Sequence, residues 1–220
     1  MQIPKNIVIV DICGTLFHSN TTFDFLDFYL KSKKYQRFRK ISQNILIKIL
    51  NSILFYLFRL DVIRWYAILH LNGANLKELN TYMNYFYDSI LKYKINHSVL
   101  LKINELAKEK QLVLVSATLD FIALTISQKL NIPLFFSTEL KYDNFGTCKG
   151  KIEKDLLGNK LYLLKRYFLD KKYDTVITDN FSDKTLFLQN TINYVVTSEK
   201  NKKKWNNFAM KRKIQIQFIH

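Results

Sequence analysis

The sequence predicts an α/β fold: a doubly wound parallel sheet with a large helical insertion after its first strand. Two observations carry that expectation. Apolar runs of strand length alternate with helix-like segments through the second half of the chain, the pattern of strands joined by crossover helices. Residues 21–96, by contrast, show no strand-like alternation and many apolar residues at helical spacing.

Taken in order, the four consecutive aliphatics Ile7 to Val10 read as a strand buried on both faces. Several helices follow, interrupted around Leu71 to Asn75, where Gly73 marks a turn. Residues 41–60 are the most apolar part, yet Asn44, Lys48, Asn51, Ser52 and Arg59 fall near one face. The longest uncharged stretch, Ile49 to Phe58, is well short of the ~18 apolar residues of a membrane span. An amphipathic helix is therefore expected, its apolar side packed against neighbouring helices. A helix near 97–110 leads into a strand at 111–117 and a helix to about Leu130. A short strand at 132–136, a hairpin near 138–152 and a helix at 157–169 come next. A strand within 173–180, a helix from Ser182 to about Gln189 and a strand at 193–198 complete the alternation.

With 220 residues, 48% of them hydrophobic, the chain can bury a real core. Two cysteines, Cys13 and Cys148, make no disulfide framework, and no leader-like segment opens the sequence; a reducing cytoplasm is expected. The balance of 34 Lys+Arg against 18 Asp+Glu, a net charge of +16, favours anionic partners. Nucleic acid is not expected among them, because the aromatic residues form no RNA-binding sheet signature. The lysine runs at 200–205 and 211–213 read as solvated faces. His18, His70, His97 and His220 have no metal-ligand spacing.

In parallel sheets ligands bind beyond the carboxyl ends of the strands. Three apolar runs end there in a polar side chain: Asp11, Ser116 and Asp179, which should converge on one sheet edge. Two carboxylates, with Asp183 one helical turn beyond Asp179, suit a Mg²⁺ ion held by oxygen ligands. Asp11 could then attack phosphorus, since aspartate serves as a covalent nucleophile for phosphoryl groups. Gly14 and Thr15 open a tight loop with backbone N–H groups for phosphate oxygens, and Ser116 adds a hydroxyl. A lysine is needed to balance charge in the transition state.

These residues carry a resemblance. DICGTL (11–16), Ser116 in LVLVSAT, Lys160 in GNK and DNFSD (179–183) resemble, in order, the four motifs of the haloacid dehalogenase-like superfamily. The hairpin STELKYDNFGTCKGKI and the helical insertion are similar to the branch of phosphoserine phosphatases and bacterial phosphatidylglycerophosphate phosphatases. The resemblance implies a Rossmann-like core from 1–19 and 97–220 and a helical cap from 20–96. It implies Asp11 as nucleophile, with Mg²⁺ on the Asp11 and Asp179 carboxylates and the Cys13 carbonyl. Asp183 would orient a metal-bound water or the lysine. Ser116 and Lys160 would grip the phosphoryl group, with Gly14, Thr15, Ala117 and Asn20 at the substrate. Lys149, Lys151 and Lys154 are alternatives to Lys160, which is preferred because Gly158-Asn159-Lys160 opens a helix.

One position departs from the family. Its phosphatases place a second Asp two residues after the nucleophile, to protonate the leaving oxygen; here that residue is Cys13. General acid–base help is worth roughly 10²–10⁴-fold, so a slower phosphatase is expected. The alternatives are a catalytically weak protein that binds phosphorylated ligands or an anionic membrane, and a Cys13 that is simply a small buried thiol. Asn20 stands where phosphoserine phosphatases carry an acidic residue, which argues against phosphoserine. The expected substrate is a small phosphorylated metabolite or a lipid phosphate. The apolar insertion and basic surface resemble the lipid-phosphate branch, with peripheral contact to an anionic membrane.

Overall fold

Four aliphatics without a polar interruption require a strand covered on both faces, and β1 (Ile7–Val10) is buried at every position. The computed structural model describes residues 6–168, 173–187 and 191–219. In it β1 lies between β2 (Gln111–Leu119) and β5 (Thr175–Thr178), parallel to both. Adding β3 (Phe135–Tyr142), β4 (Cys148–Lys154), β6 (Ile192–Val196) and β7 (Gln215–Ile219) gives a seven-stranded sheet of order β4-β3-β2-β1-β5-β6-β7. β4 alone among these strands runs antiparallel to its neighbour. The fold is a Rossmann-like α/β core.

Alternation along β1 builds a core on each sheet face. Val8 and Val10 join a cluster with α7 (Asp120–Lys129) and the helices that follow β1. Ile7 and Ile9 face α8 (Lys160–Phe168) and α9 (Glu199–Arg212). After β1 come α1 (Thr21–Tyr29), α2 (Lys33–Ser42), α3 (Ile45–Phe58), α4 (Val62–Leu69) and α5 (Leu76–Ser89). A 3-10 turn at Leu91–Lys94 then leads to α6 (His97–Leu106). With 5 glycines and 2 prolines in the chain, side chains must do the punctuating. Asn20, Ser32, Asn44, Asp61, Asn75 and Asn96 each accept a backbone N–H at the start of α1 to α6, satisfying donors that would otherwise be orphaned.

Several elements differ from expectation. The strand at 132–136 and the first arm of the hairpin are one strand, β3, pairing first with β2 and then with β4. The sequence hides this because Ser137 and Thr138, buried in mid-strand, break the apolar run. β2 runs through Ser116 to Leu119 instead of ending at it. The segment after Ser182 is a 3-10 helix, Phe181–Leu186, and residues 188–190 lie outside the described residues, as do Leu169 and His220. β7 was not anticipated.

The helix expected at 41–60 needs the largest correction. α2 ends at Ser42, Asn44 caps a new helix, and the axis turns by 81°. α3 contains no buried residue: Ile45, Leu46, Ile49, Leu50, Tyr56, Leu57 and Phe58 are exposed, while Asn51 on the opposite side bonds Asp61 and the Ile63 N–H. Ile47, Asn51, Leu54 and Phe55 are half-buried against the protein, while a longer apolar stripe faces out. No single helix among the described residues is long and apolar enough to cross a membrane.

Candidate active site

Strands that end together deliver their next residues to one edge. Asp11 leaves β1 and Asp179 leaves the adjacent β5, while Ser116 lies on β2 at the other side of β1. Asp11 is 5% exposed; one oxygen accepts the Ile12 N–H at 2.8 Å and the other lies 3.1 Å from the Lys160 Nζ. Lys160, the first residue of α8, donates at 2.7 Å to Asp183, whose same oxygen accepts the Thr178 hydroxyl at 2.8 Å. Asp179 accepts the Thr15 hydroxyl at 2.9 Å and returns its backbone N–H to that hydroxyl at 2.8 Å. Gly14 has a φ of +74°, and a Cβ there would collide with the Asp179 carboxylate, so only glycine fits this turn. The Ser116 Oγ is buried and makes no hydrogen bond of good geometry. The Cys13 Sγ lies 2.9 Å from the Thr21 hydroxyl, which bonds Thr118 at 2.8 Å.

These groups line a cleft of about 550 Å³, closed on its other side by Asn20, Phe23, Asp61 and Arg64 of the insertion. Ala117 also lines it, its carbonyl accepting from Arg64 at 2.9 Å. Of the alternative lysines, Lys149 pairs with Asp143 and Lys154 with Glu139, and Lys151 is exposed on β4. Lys160 is the one of the four beside Asp11.

The profile of the haloacid dehalogenase-like hydrolases matches residues 8–188. The chain belongs to that family. No curated protein matches it at a significant level. Solved structures share the fold. A protein of unknown function from Bordetella pertussis Tohama I superposes with a TM-score of 0.74 at 15% identity, over 97% of this chain and 98% of that one. A phosphoserine phosphatase studied as a phospho-aspartyl intermediate analogue gives 0.61 at 15% identity, over 98% and 93%. A phosphoserine phosphohydrolase-like protein from Francisella tularensis subsp. tularensis SCHU S4 gives 0.61 at 16%, over 96% and 94%.

In this hydrolase the cleft is electrostatically loaded. Burial raises the Asp11 carboxyl from 3.8 to about 6; Lys160 opposes the rise, and Asp183 and Asp179 add to it by repulsion. Asp179 is also raised, by burial first, against the Thr15 hydrogen bond. Burial works against the charge on Lys160, but Asp11 and Asp183 outweigh it and hold the ammonium above its ordinary range. Burial and then the Asp11 charge raise the Cys13 thiol, against weaker help to the thiolate from Thr21 and Ser116.

Among the described residues no group of three or more His, Cys, Asp and Glu side chains is arranged to hold a metal ion. Mg²⁺ asks for less, since it keeps several waters and binds through one or two carboxylates. Asp11 and Asp179 offer hard oxygens at neighbouring strand ends, and the repulsion between them is what a cation would relieve. The two carboxylates therefore fit the needs of a Mg²⁺ ion. One oxygen of Asp183 is engaged by Lys160 and Thr178.

Sequence reading missed Arg64, Thr118 and Thr178. Arg64, 6% exposed, grips Asp155 with two bonds of 2.9 Å and Thr138 at 2.8 Å, tying α4 to the strands beneath the cleft. Its signal was a lone cation inside the apolar run VIRWYAIL. Asn20 caps α1 by accepting the Phe23 N–H, which accounts for that side chain structurally.

Proposed function

We propose that this hydrolase cleaves phosphate monoesters, with Mg²⁺ and through an aspartyl-phosphate on Asp11. The observation that supports this most is the buried set of Asp11, Lys160 and the unpaired Ser116 hydroxyl on one sheet edge beside Asp179. An Asp11 oxygen attacks phosphorus, the bond from phosphorus to the ester oxygen breaks, and the leaving oxygen takes up a proton. Water then attacks the aspartyl-phosphate, releasing phosphate and restoring the carboxylate. Lys160 and Ser116 hold the phosphoryl oxygens, and Asp183 keeps Lys160 aimed. Bound Mg²⁺ would neutralise the phosphate drawn between the carboxylates.

Cys13 stands at the leaving-group position. A thiol whose pKa is raised keeps its proton and can donate it, but gives back little as a base toward water. Turnover is therefore slow. Residues 20–96 act as a helical cap, with Phe23, Asp61 and Arg64 closing the cleft over the substrate. A second cavity of about 460 Å³ shares Asn20, Phe23 and Asp61 with the first and extends to Arg39 and Lys48, room for a leaving group larger than a small metabolite's. That space is lined mostly by polar side chains and suits a polar head group, and a lipid phosphate is the substrate we propose, for a cytoplasmic protein working at the membrane surface. A second reading, a phosphate-binding protein without turnover, rests on the Cys13 thiol being tied to Thr21.

Phosphate release from a panel of phosphomonoesters, with and without Mg²⁺, tests the reading. Mg²⁺-dependent release by the native protein should vanish in Asp11→Asn and rise by about 10²-fold or more in Cys13→Asp. Release that persists in Asp11→Asn would refute the covalent route, and turnover confined to Cys13→Asp would favour the binder.

A further inference from the structure

The outward face of α3 has no partner among the described residues, and the charges along residues 31–60 are all positive. Ile45, Leu46, Ile49, Leu50, Tyr56 and Leu57 are between 51% and 81% exposed, an apolar stripe along the whole helix. Scattered exposed leucines need no explanation, but a contiguous stripe of this length does. Nor can it serve stability, since α3 buries none of its residues.

Residues 31–60 contain eight cations, Lys31, Lys33, Lys34, Arg37, Arg39, Lys40, Lys48 and Arg59, and no acidic residue. Arg39 is committed to Asp27. Lys33, Lys34, Arg37 and Lys40 are exposed on α2, immediately before the bend into α3. An apolar helix face flanked by unopposed cations is the composition of a helix that lies in the interface of an anionic bilayer.

We propose that α2 and α3 form a docking surface for an anionic lipid bilayer, with the apolar stripe of α3 seated among the acyl chains and the α2 cations against the lipid phosphates. A second copy of the chain fits less well. Two such faces brought together would set the same cations against each other, whereas anionic lipid neutralises them. The surface adjoins the cleft: Phe55 of α3 and Arg59 just beyond it lie about 4 Å from where a Gly158 side chain would stand, two residues before Lys160. The docking stands on this face alone and does not require the phosphatase reading.

Sedimentation of the full chain with phosphatidylcholine vesicles, and with vesicles of phosphatidylcholine mixed with phosphatidylglycerol, tests it. The native protein should bind the anionic vesicles and not the zwitterionic ones. Leu46→Ser combined with Leu50→Ser should abolish binding, and each of Lys33→Gln and Lys34→Gln should weaken it about fivefold. All four side chains are exposed, so circular dichroism should show the variants folded. Failure of the folded native protein to bind, or binding untouched by these substitutions, overturns the proposal. So does a concentration-dependent dimer, seen by light scattering without vesicle binding and broken by the leucine changes. Asp11→Asn should bind vesicles like the native chain; a native protein that docks but releases no phosphate would sink the proposed reaction and leave the docking intact.

Discussion

At the scale of single residues, the site works against the fold that holds it. Asp11 titrates near 6 in the folded chain against 3.8 ordinarily, so the folded state holds its proton more tightly than the unfolded state does. Its contribution to stability is intact below 3.8 and is lost as pH rises through 6. At pH 7 the metal-free protein therefore carries a penalty for keeping this carboxylate charged. Asp11→Asn should raise the melting temperature of metal-free protein at pH 7, and the advantage should fade as pH falls below about 4; an advantage independent of pH would count against this origin. Asp11, Ser116, Asp179 and Lys160 were visible in the sequence because each sits at the edge of an apolar run or a helix start. Arg64 was not, since its partner Asp155 becomes a neighbour only when the strands assemble, and Thr178 was hidden as the last residue of an apolar strand although its partner Asp183 is near in sequence.

Among elements, the decisive joint is between α4 and the strands. Arg64 reaches down from α4 to Asp155, Thr138 and the Ala117 carbonyl, adding a side-chain tie beneath the cleft to the backbone bonds that join residues 73–76 to the β3–β4 hairpin. Arg64→Ala would take a donor from the Ala117 carbonyl beneath the cleft; the Thr138 hydroxyl keeps the Leu156 N–H, and Asp155, with its side chain 36% exposed, can recruit water. A loss of about 2–3 kcal/mol is expected, measured as a lower denaturant midpoint, with catalysis more impaired than folding. Element order was readable because strands and helices alternate in period. β3 was split in two because its centre is polar, and β7 escaped because QIQFI follows a lysine-rich helix at the sheet's edge.

Over the whole molecule the charge of +16 has no internal counterweight. Self-repulsion of that size should be screened by salt, so the melting temperature at neutral pH should rise from low salt to ~0.3 M NaCl. A fall would mean that surface ion pairs such as Lys129 to Asp88 outweigh the repulsion. Composition told of this excess but not of its arrangement, which depends on where α2 places its lysines. The orientation of α3 has a consequence for how the chain can change over time. Ordinarily the greasiest helix of a protein is the one least free to mutate, because the interior depends on it. Here substitutions on the stripe leave the interior untouched, so purifying selection on those positions would register what the helix meets outside the molecule, and a soluble, well-folded descendant lies only a few polar replacements away.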